Sequence, residues 1–380
     1  MTQPIRIGEI NTYSPSALSG FMATYKNGID LVVDEINANG GVLGRPLEVV
    51  YRDDGLDKAQ AAAAARSLLQ QDGVDLIAGT FTSDVGMAVA EVADELKRVF
   101  IATEPRTDRL IWDRGSRYVF RIRTCQTMMV SMLATRVAQL PHKRWTVITP
   151  SYEGAKRVAL VTREMMAKLR PDIVFAENIH FPLGGIDAET VDRLVATEPE
   201  AVLSIVYGSD LLPFVRMGRE RGLFDKSLIV TPLGDPEYLD TLGDELPEGW
   251  LVLGYPVRDD KRPAHQAFVQ AYRARFGVDP DAGALVGYMG FQAIAAGITR
   301  AGSTDTEALI AGFRGLSFES PIGPVRIRPG DHQATVGSWI GTTVLRDGRS
   351  SLTDWSFLDG EDHLPPEAEA AALRPAAARV

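Results

Sequence analysis

Apolar positions recur along this chain with two alternating spacings. Short apolar runs of strand length are followed by longer segments whose apolar residues fall three and four apart. Residues 5–10 read as a strand. Residues 23–38 read as a helix, with Ile29, Val32, Val33 and Ile36 on one face and Asn39-Gly40-Gly41 as a C-terminal stop. A strand at 47–51, an Ala/Leu-rich helix at 58–71, a strand at 76–78, a helix at 84–97 and a strand at 99–102 continue the alternation. After Thr124 the pattern restarts, with helices at 127–139, 153–169, 188–197 and 210–221. Between them lie strands at 145–149, 173–179, 201–206 and 227–231. Such alternation predicts an α/β fold with parallel sheets covered on both faces.

The units beginning Leu47-Glu48-Val49-Val50 and Ile173-Val174-Phe175-Ala176 return to a strand at nearly equal offsets, at Val74 and Ala201. Two similar doubly wound lobes are therefore expected rather than one long sheet. The last third differs. Helices are predicted at 264–276, 282–301 and 304–313, the last with Thr304 and Glu307 at capping-box spacing. A two-stranded piece is predicted from 325–328 and 336–345, and the tail from Asp359 reads as a surface helix or a mobile segment. Residues 282–299 form the longest uncharged stretch. Their four glycines, with Gln292 and Thr299, favour a buried helix over a bilayer span.

Composition narrows the functional classes. The chain has 380 residues and a net charge of −10, a poor match to nucleic acid or an anionic membrane surface. Its single cysteine, Cys125, excludes an intramolecular disulfide framework and a Cys-rich zinc site, and is expected to be a buried thiol at a lobe junction. No phosphate loop, Gly-x-Gly-x-x-Gly, His-Glu-x-x-His or Gly-x-Ser-x-Gly occurs. The histidines (142, 180, 265, 332 and 363) stand apart. Asp53-Asp54 reads as a solvated turn. No cofactor and no metal is expected, and the chain reads as a binding protein rather than an enzyme.

The loops after the strands carry the interest, because open parallel sheets bind ligands at the carboxyl ends of their strands. They are Asn11 to Ser16 with Tyr13, Gly79 to Asp84 with Phe81, Thr82 and Ser83, and Thr103 to Thr107 with Glu104 and Arg106. The second lobe offers Pro150 to Glu153 with Tyr152, Tyr207 to Asp210, and Leu233 to Pro236 with Asp235. Hydroxyls and free backbone N–H groups at a helix start suit a carboxylate. The same residues also have ordinary roles: Ser83 or Asp84, Asp210 and Asp235 as helix caps, Tyr152 and Tyr207 as rim aromatics.

Several segments together resemble the periplasmic-type solute-binding proteins of the leucine/isoleucine/valine-binding class (type I periplasmic binding proteins), the receptors of branched-chain amino acid ABC importers. They are Ile5-Arg6-Ile7-Gly8, Gly28 and Asp34-Glu35-Ile36-Asn37-Ala38-Asn39-Gly40-Gly41 through Gly44-Arg45, Asp53-Asp54-Gly55, Gly79-Thr80 with Thr82-Ser83, Tyr118 to Arg121, and Ser320 to Val325 with Asp331-His332-Gln333. The resemblance implies two doubly wound lobes joined by three crossovers, near Arg121, Gly254 and Gly323. Residues 1–122 with 255–324 would form the N-terminal lobe and 123–254 with 325–380 the C-terminal lobe. It implies a ligand cleft between them and hinge closure over the solute. By position, Ser83 matches the serine that bonds a ligand carboxylate, with Thr82 beside it. Tyr152, Asp235 and Phe21 fall near a cleft tyrosine, the acid that pairs with an ammonium, and a cleft aromatic. Where amino-acid receptors offer a threonine hydroxyl this chain has Arg106, and a small residue has become Glu104, a departure that speaks against leucine-like ligands.

The expected partners are a small-molecule solute and an inner-membrane ABC permease, with no nucleic acid and a monomeric state. The first residues carry no leader-like pattern, which fits a cytoplasmic protein or one whose leader has been removed; the resemblance implies the second, with a periplasmic location. The ligand is a branched-chain or aromatic amino acid, an aromatic acid or an amide. A cytoplasmic ligand sensor on the same fold is the alternative.

Overall fold

The structure is a computed structural model that describes residues 3–16, 18–235 and 239–378. The chain divides into two compact units. One holds the residues up to 125, 260–336 and those from 364 onward; the other holds 126–259 and 337–363. Residues 325–336 and those from 364 onward, expected in the second lobe, thus group with the first. Side-chain bonding gives the reason. Buried Arg121 donates from Nε to Gln333 Oε1 at 2.6 Å, and buried Arg374 donates to the carbonyls of Asp331 and Ser116.

The first segment of the first unit carries β1 (Ile5–Asn11), α1 (Ser19–Ala38), β2 (Leu47–Asp53), α2 (Lys58–Gln70), β3 (Leu76–Gly79), α3 (Ser83–Leu96), β4 (Phe100–Ala102) and β5 (Val119–Arg121). The strands form one parallel sheet in the order β2-β1-β3-β4-β5. β3, β4 and β5 are buried throughout, which accounts for their unbroken apolar runs. The order reverses between β1 and β3. In open parallel sheets such a reversal is where loops beyond the strand ends diverge and ligands bind.

The second unit repeats the plan with α4 (Gln126–Val137), β6 (Arg144–Pro150), α5 (Glu153–Leu169), β7 (Val174–Phe175), β8 (Ile179–Phe181), α6 (Ala188–Ala196), β9 (Ala201–Ser204), α7 (Leu211–Glu220), α8 (Leu223–Lys226), β10 (Leu228–Thr231) and β11 (Leu251–Gly254). Here β7 and β8 line one side of β6, and β9, β10 and β11 follow in parallel on the other. The single strand expected at 173–179 is two short ones, which pair with successive parts of β6. The reversal falls between β6 and β9.

The chain then returns to the first unit with α9 (Pro263–Phe276), α10 (Ala282–Ala301), α11 (Thr306–Phe313), β12 (Ser317–Ser320) and β13 (Gly323–Arg326). α10 is long and apolar enough to cross a bilayer by length and composition, yet it is mostly buried. It packs along α1 with backbones nearly touching. A Cβ on Gly28 would overlap the carbonyl oxygen of Ala284, one on Gly287 that of Tyr25, and one on Gly283 would lie 2.7 Å from that of Phe21. The glycines that break up this apolar stretch in sequence are what lets the two helices meet. α11 begins at Thr306 rather than Thr304, with Asp305 at the cap position and no capping side-chain bond. The Ser303 hydroxyl donates to the Asp305 carboxylate at 2.9 Å instead.

The pairing expected between 325–328 and 336–345 is absent among the described residues, and Ile327 instead bridges to Ala334, before the second segment begins. β13 pairs with β12, while β14 (Ser338–Arg346) and β15 (Arg349–Leu358) form a hairpin that adds antiparallel strands to β11 in the second unit. Between them, buried Arg328 pairs with buried Asp331 and folds 328–333 into a turn of its own. The tail carries a short surface helix, the first of the two expected forms, and is anchored at its far end. α12 (Glu367–Ala372) leads to Arg374, which is buried in the first unit.

Candidate functional site

At the β1/β3 reversal the loop after β1 is held by the acid pair that ends β2. Asp53 accepts the N–H groups of Tyr13 (2.7 Å) and Ser14 (3.0 Å), and Asp54 accepts the Thr12 hydroxyl at 2.7 Å. The Asp53 carboxyl is lowered: partial burial would raise it, but the N–H groups of Ser14, Tyr13 and Gly55 outweigh burial. Asp54 is buried and raised by that burial. The pair is therefore a loop clamp, not the solvated turn expected from sequence. It aims Tyr13, whose ring meets Tyr51 edge-on at 5.6 Å.

Across the reversal, β3 ends in a strained turn. Gly79 has φ 110°, and a Cβ there would overlap Ile10's carbonyl oxygen; buried Thr80 has φ 64°, a costly value for a β-branched residue. The turn presents Phe81, Thr82 and Ser83, all half-buried, at the start of α3. Thr82 is the N-cap residue, and its side chain makes no capping bond. Neither Ser83 nor Asp84 is the cap, contrary to expectation. The first turn of α3 thus presents backbone donors and two hydroxyls together. Phe81 packs edge-on against Phe21 of α1 at 5.2 Å.

The loop after β4 adds charge. Glu104 is only 2% exposed and meets Arg123 Nε at 2.9 Å and Arg106 Nε at 3.7 Å. Two guanidiniums therefore meet one buried carboxylate. Glu104 is already countered and does not call for an ammonium ion. Thr103 beside it shares a 2.7 Å hydrogen bond with the Tyr25 hydroxyl. Beneath all three loops lies Glu9, fully buried on β1. It accepts from the Tyr13 hydroxyl and from Asn11 Nδ2 at 3.3 Å. Burial, partly offset by these bonds, pushes its carboxyl up to about 8.

The first unit therefore brings Tyr13, Phe21, Phe81, Thr82, Ser83, Glu104 and Arg106 to one end of one sheet. Sequence reasoning missed Glu9, Tyr25 and Arg123. An acid inside the apolar run of β1 was a readable signal for Glu9. Arg123 lies just past a strand end, and only folding brings it to Glu104.

In the second unit Tyr152 and Tyr207 follow β6 and β9, the two strands that flank its reversal. Their hydroxyls are 3.0 Å apart. Tyr152 is 40% exposed, whereas Tyr207 is nearly buried, and burial pushes its phenol well above the usual range. Asp210 caps no helix with its side chain. Its buried carboxylate accepts the N–H groups of Gly184 and Ile186 at 2.6 and 3.0 Å, and so fixes the loop after β8. Asp235 is half-buried in the loop after β10, where Gly234 packs on Val252 and Gly254. Among the described residues no group of three or more His, Cys, Asp or Glu side chains is placed to hold a metal ion. Cys125 is buried and ends the first segment of the first unit.

A family model described as periplasmic binding protein matches residues 4–349. The chain belongs to the periplasmic binding protein family. The α/β class, the parallel sheets and the reading as a solute-binding protein rather than an enzyme all agree with that family. Among curated proteins this periplasmic binding protein is 26% identical to a Leu/Ile/Val-binding protein homolog of Brucella suis over 334 residues, 83% of this chain and 82% of that one. It is also 26% identical to an amino acid binding protein of Pseudomonas aeruginosa, over 76% of this chain and 77% of that one. Among solved structures, an ABC transporter solute-binding protein of Rhodopseudomonas palustris BisB5 in complex with 3,4-dihydroxybenzoic acid matches with a TM-score of 0.84. The two are 22% identical, over 94% of this chain and 98% of that one. An amino acid ABC transporter substrate-binding protein of Pseudomonas fluorescens matches at 0.85 and 19% identity, over 97% and 99%. These structural likenesses establish the fold.

Proposed function

We propose that this protein is the extracytoplasmic receptor of an ABC importer and captures a small aromatic carboxylate. The observation that carries the ligand class is the cluster at Glu104. Two guanidiniums meet one buried carboxylate there, in the same strand-end surface as the uncapped first turn of α3. The two guanidiniums, the Ser83 and Thr82 hydroxyls and the helix N–H groups suit a carboxylate. Phe21, Phe81 and Tyr13 offer aromatic faces for the ring. Proteins of the same fold bound to 3,4-dihydroxybenzoic acid and to benzoate support an aromatic acid. In this reading Tyr152, Tyr207 and Asp235 of the second unit complete the seat, and the two units close over the solute. Closure then presents the loaded form to a membrane permease.

An amino acid is the second reading, favoured by the half-buried Asp235 and by the names of the curated relatives. The two separate in one experiment, in which benzoate and leucine are titrated into the protein and into Ser83→Ala. Loss of one hydrogen bond to a charged group costs about 1.5–3 kcal/mol. Ser83→Ala is thus expected to weaken benzoate binding at least about tenfold, with the melting temperature of the free protein unchanged because Ser83 is half-buried and caps nothing. Equal benzoate affinity in both proteins removes Ser83 from the site, and binding of leucine alone replaces the ligand class.

A further inference from the structure

Glu9 is the only ionisable side chain on β1 that the sheet encloses completely. Three loops of the site converge on it. The Tyr13 hydroxyl, from the loop after β1, donates to its carboxyl, and Asn11 Nδ2 donates to the other oxygen. Tyr25 of α1 faces it and joins Thr103, beside Glu104, through a 2.7 Å hydrogen bond. The turn after β3 closes over it so tightly that a Cβ on Gly79 would approach Glu9 Oε1 to 2.5 Å. Tyr13 is therefore tethered below, through Glu9, while its backbone is clamped by Asp53 from the side.

We propose, on the reading of this surface as a carboxylate seat, that Glu9 is its positioning residue: it ties Tyr13, the β3 turn and Tyr25 into one unit, and its charge sets how strongly an anionic solute is held. Burial keeps a proton on Glu9 at neutral pH. The titratable groups that face it are Tyr13 from its own loop, Tyr25 from α1, Tyr51 and Asp54 from β2 and the segment after it, and Glu104 beyond Tyr25. Burial pushes the three phenols well above their ordinary range, so they stay neutral where Glu9 titrates. When Glu9 loses its proton, a negative charge forms beneath the seat. It offsets the attraction of Arg106 and Arg123 and repels a carboxylate.

The test is benzoate titration between about pH 6 and about pH 9, a range over which benzoate itself stays ionised. In the native sequence affinity is expected to fall about tenfold across it. In Glu9→Gln, which keeps an acceptor for Tyr13, it is expected to stay level. Tyr13→Phe removes a bond that favours the ionised form, so its break moves to higher pH. Identical profiles in the native and Glu9→Gln proteins overturn the proposal. If benzoate binds at no pH, the ligand class falls instead, and melting temperature in the free protein decides Glu9. The folded protein holds a proton that the unfolded chain has released, so stability drops as pH rises from 4.5 towards about 8. A drop that Glu9→Gln lacks upholds the buried charge, and parallel curves overturn it.

Discussion

Gly28→Ala is expected to destabilise the protein by about 2–4 kcal/mol, a large cost for adding one methyl group. Gly28 sits in the middle of α1, where alanine is normally preferred by about 1 kcal/mol. The sign reverses because the new Cβ would overlap the Ala284 carbonyl oxygen and approach the Tyr288 nitrogen to 3.0 Å. Both are backbone atoms of α10, so no side chain can turn aside, and the helices must separate. Because α1 carries Phe21 and Tyr25, that separation also loosens the first unit's site. Gly20→Ala in the same helix is the control: nothing lies within 4 Å of its Cβ, so it is expected to be neutral or to stabilise by up to about 1 kcal/mol. Urea unfolding of the two variants checks the pair. Equal midpoints would mean that the α1–α10 contact is looser than described.

Arg123→Met carries the second large effect. Glu104 is buried, and Arg123 at 2.9 Å is its nearer partner. Of the two guanidiniums, the one that then remains beside Glu104 is that of Arg106, farther off at 3.7 Å. Stripping one partner from a buried ion pair costs about 3–5 kcal/mol, because the remaining charge stays out of water. Arg123 retains some exposure, so about 3 kcal/mol is expected. The variant also loses one of the two guanidiniums at the seat, and benzoate binding is expected to fall well over tenfold. Glu104→Gln acts in the opposite direction on the ligand: it removes the competing carboxylate and strengthens benzoate binding. In the double variant most of the stability returns, since no buried charge is left unmatched. Costs that merely add across the cycle would deny the coupling.

Much of the fold was legible in the sequence because buried parallel strands and their covering helices have distinct periods. The apolar runs at 76–78 and 99–102 and the helical spacing from Ile29 to Ile36 needed no other information. What failed to show depends on contacts distant in sequence. The segment at 336–345 has a strand pattern, but which strand it joins is set by β11, some ninety residues earlier. The tail reads as polar and alanine-rich, yet Arg374 finds carbonyls at Ser116 and Asp331. Asp53 and Asp54 look like turn residues until β1 and β2 pair in register and bring Asn11 beside Asp53. For the site, loops after strands identified Tyr13, Phe81, Thr82, Ser83 and Glu104 correctly as neighbours of strand ends. The sequence left open whether Glu104 needs an ammonium ion, because its answer, Arg123, arrives from a different strand.

The central claim is that the strand-end surface of the first unit is a carboxylate seat with no call for an amine. A thermal-shift comparison of benzoate, 4-hydroxybenzoate, phenylalanine and leucine tests it most directly, since a solute that binds only the native state raises the melting temperature by mass action. Stabilisation by the two benzoates, with little or none from the amino acids, is the result expected from a Glu104 already paired with Arg106 and Arg123. Stabilisation by leucine or phenylalanine with none from either benzoate would contradict it, and would assign the ammonium to an acid such as Asp235.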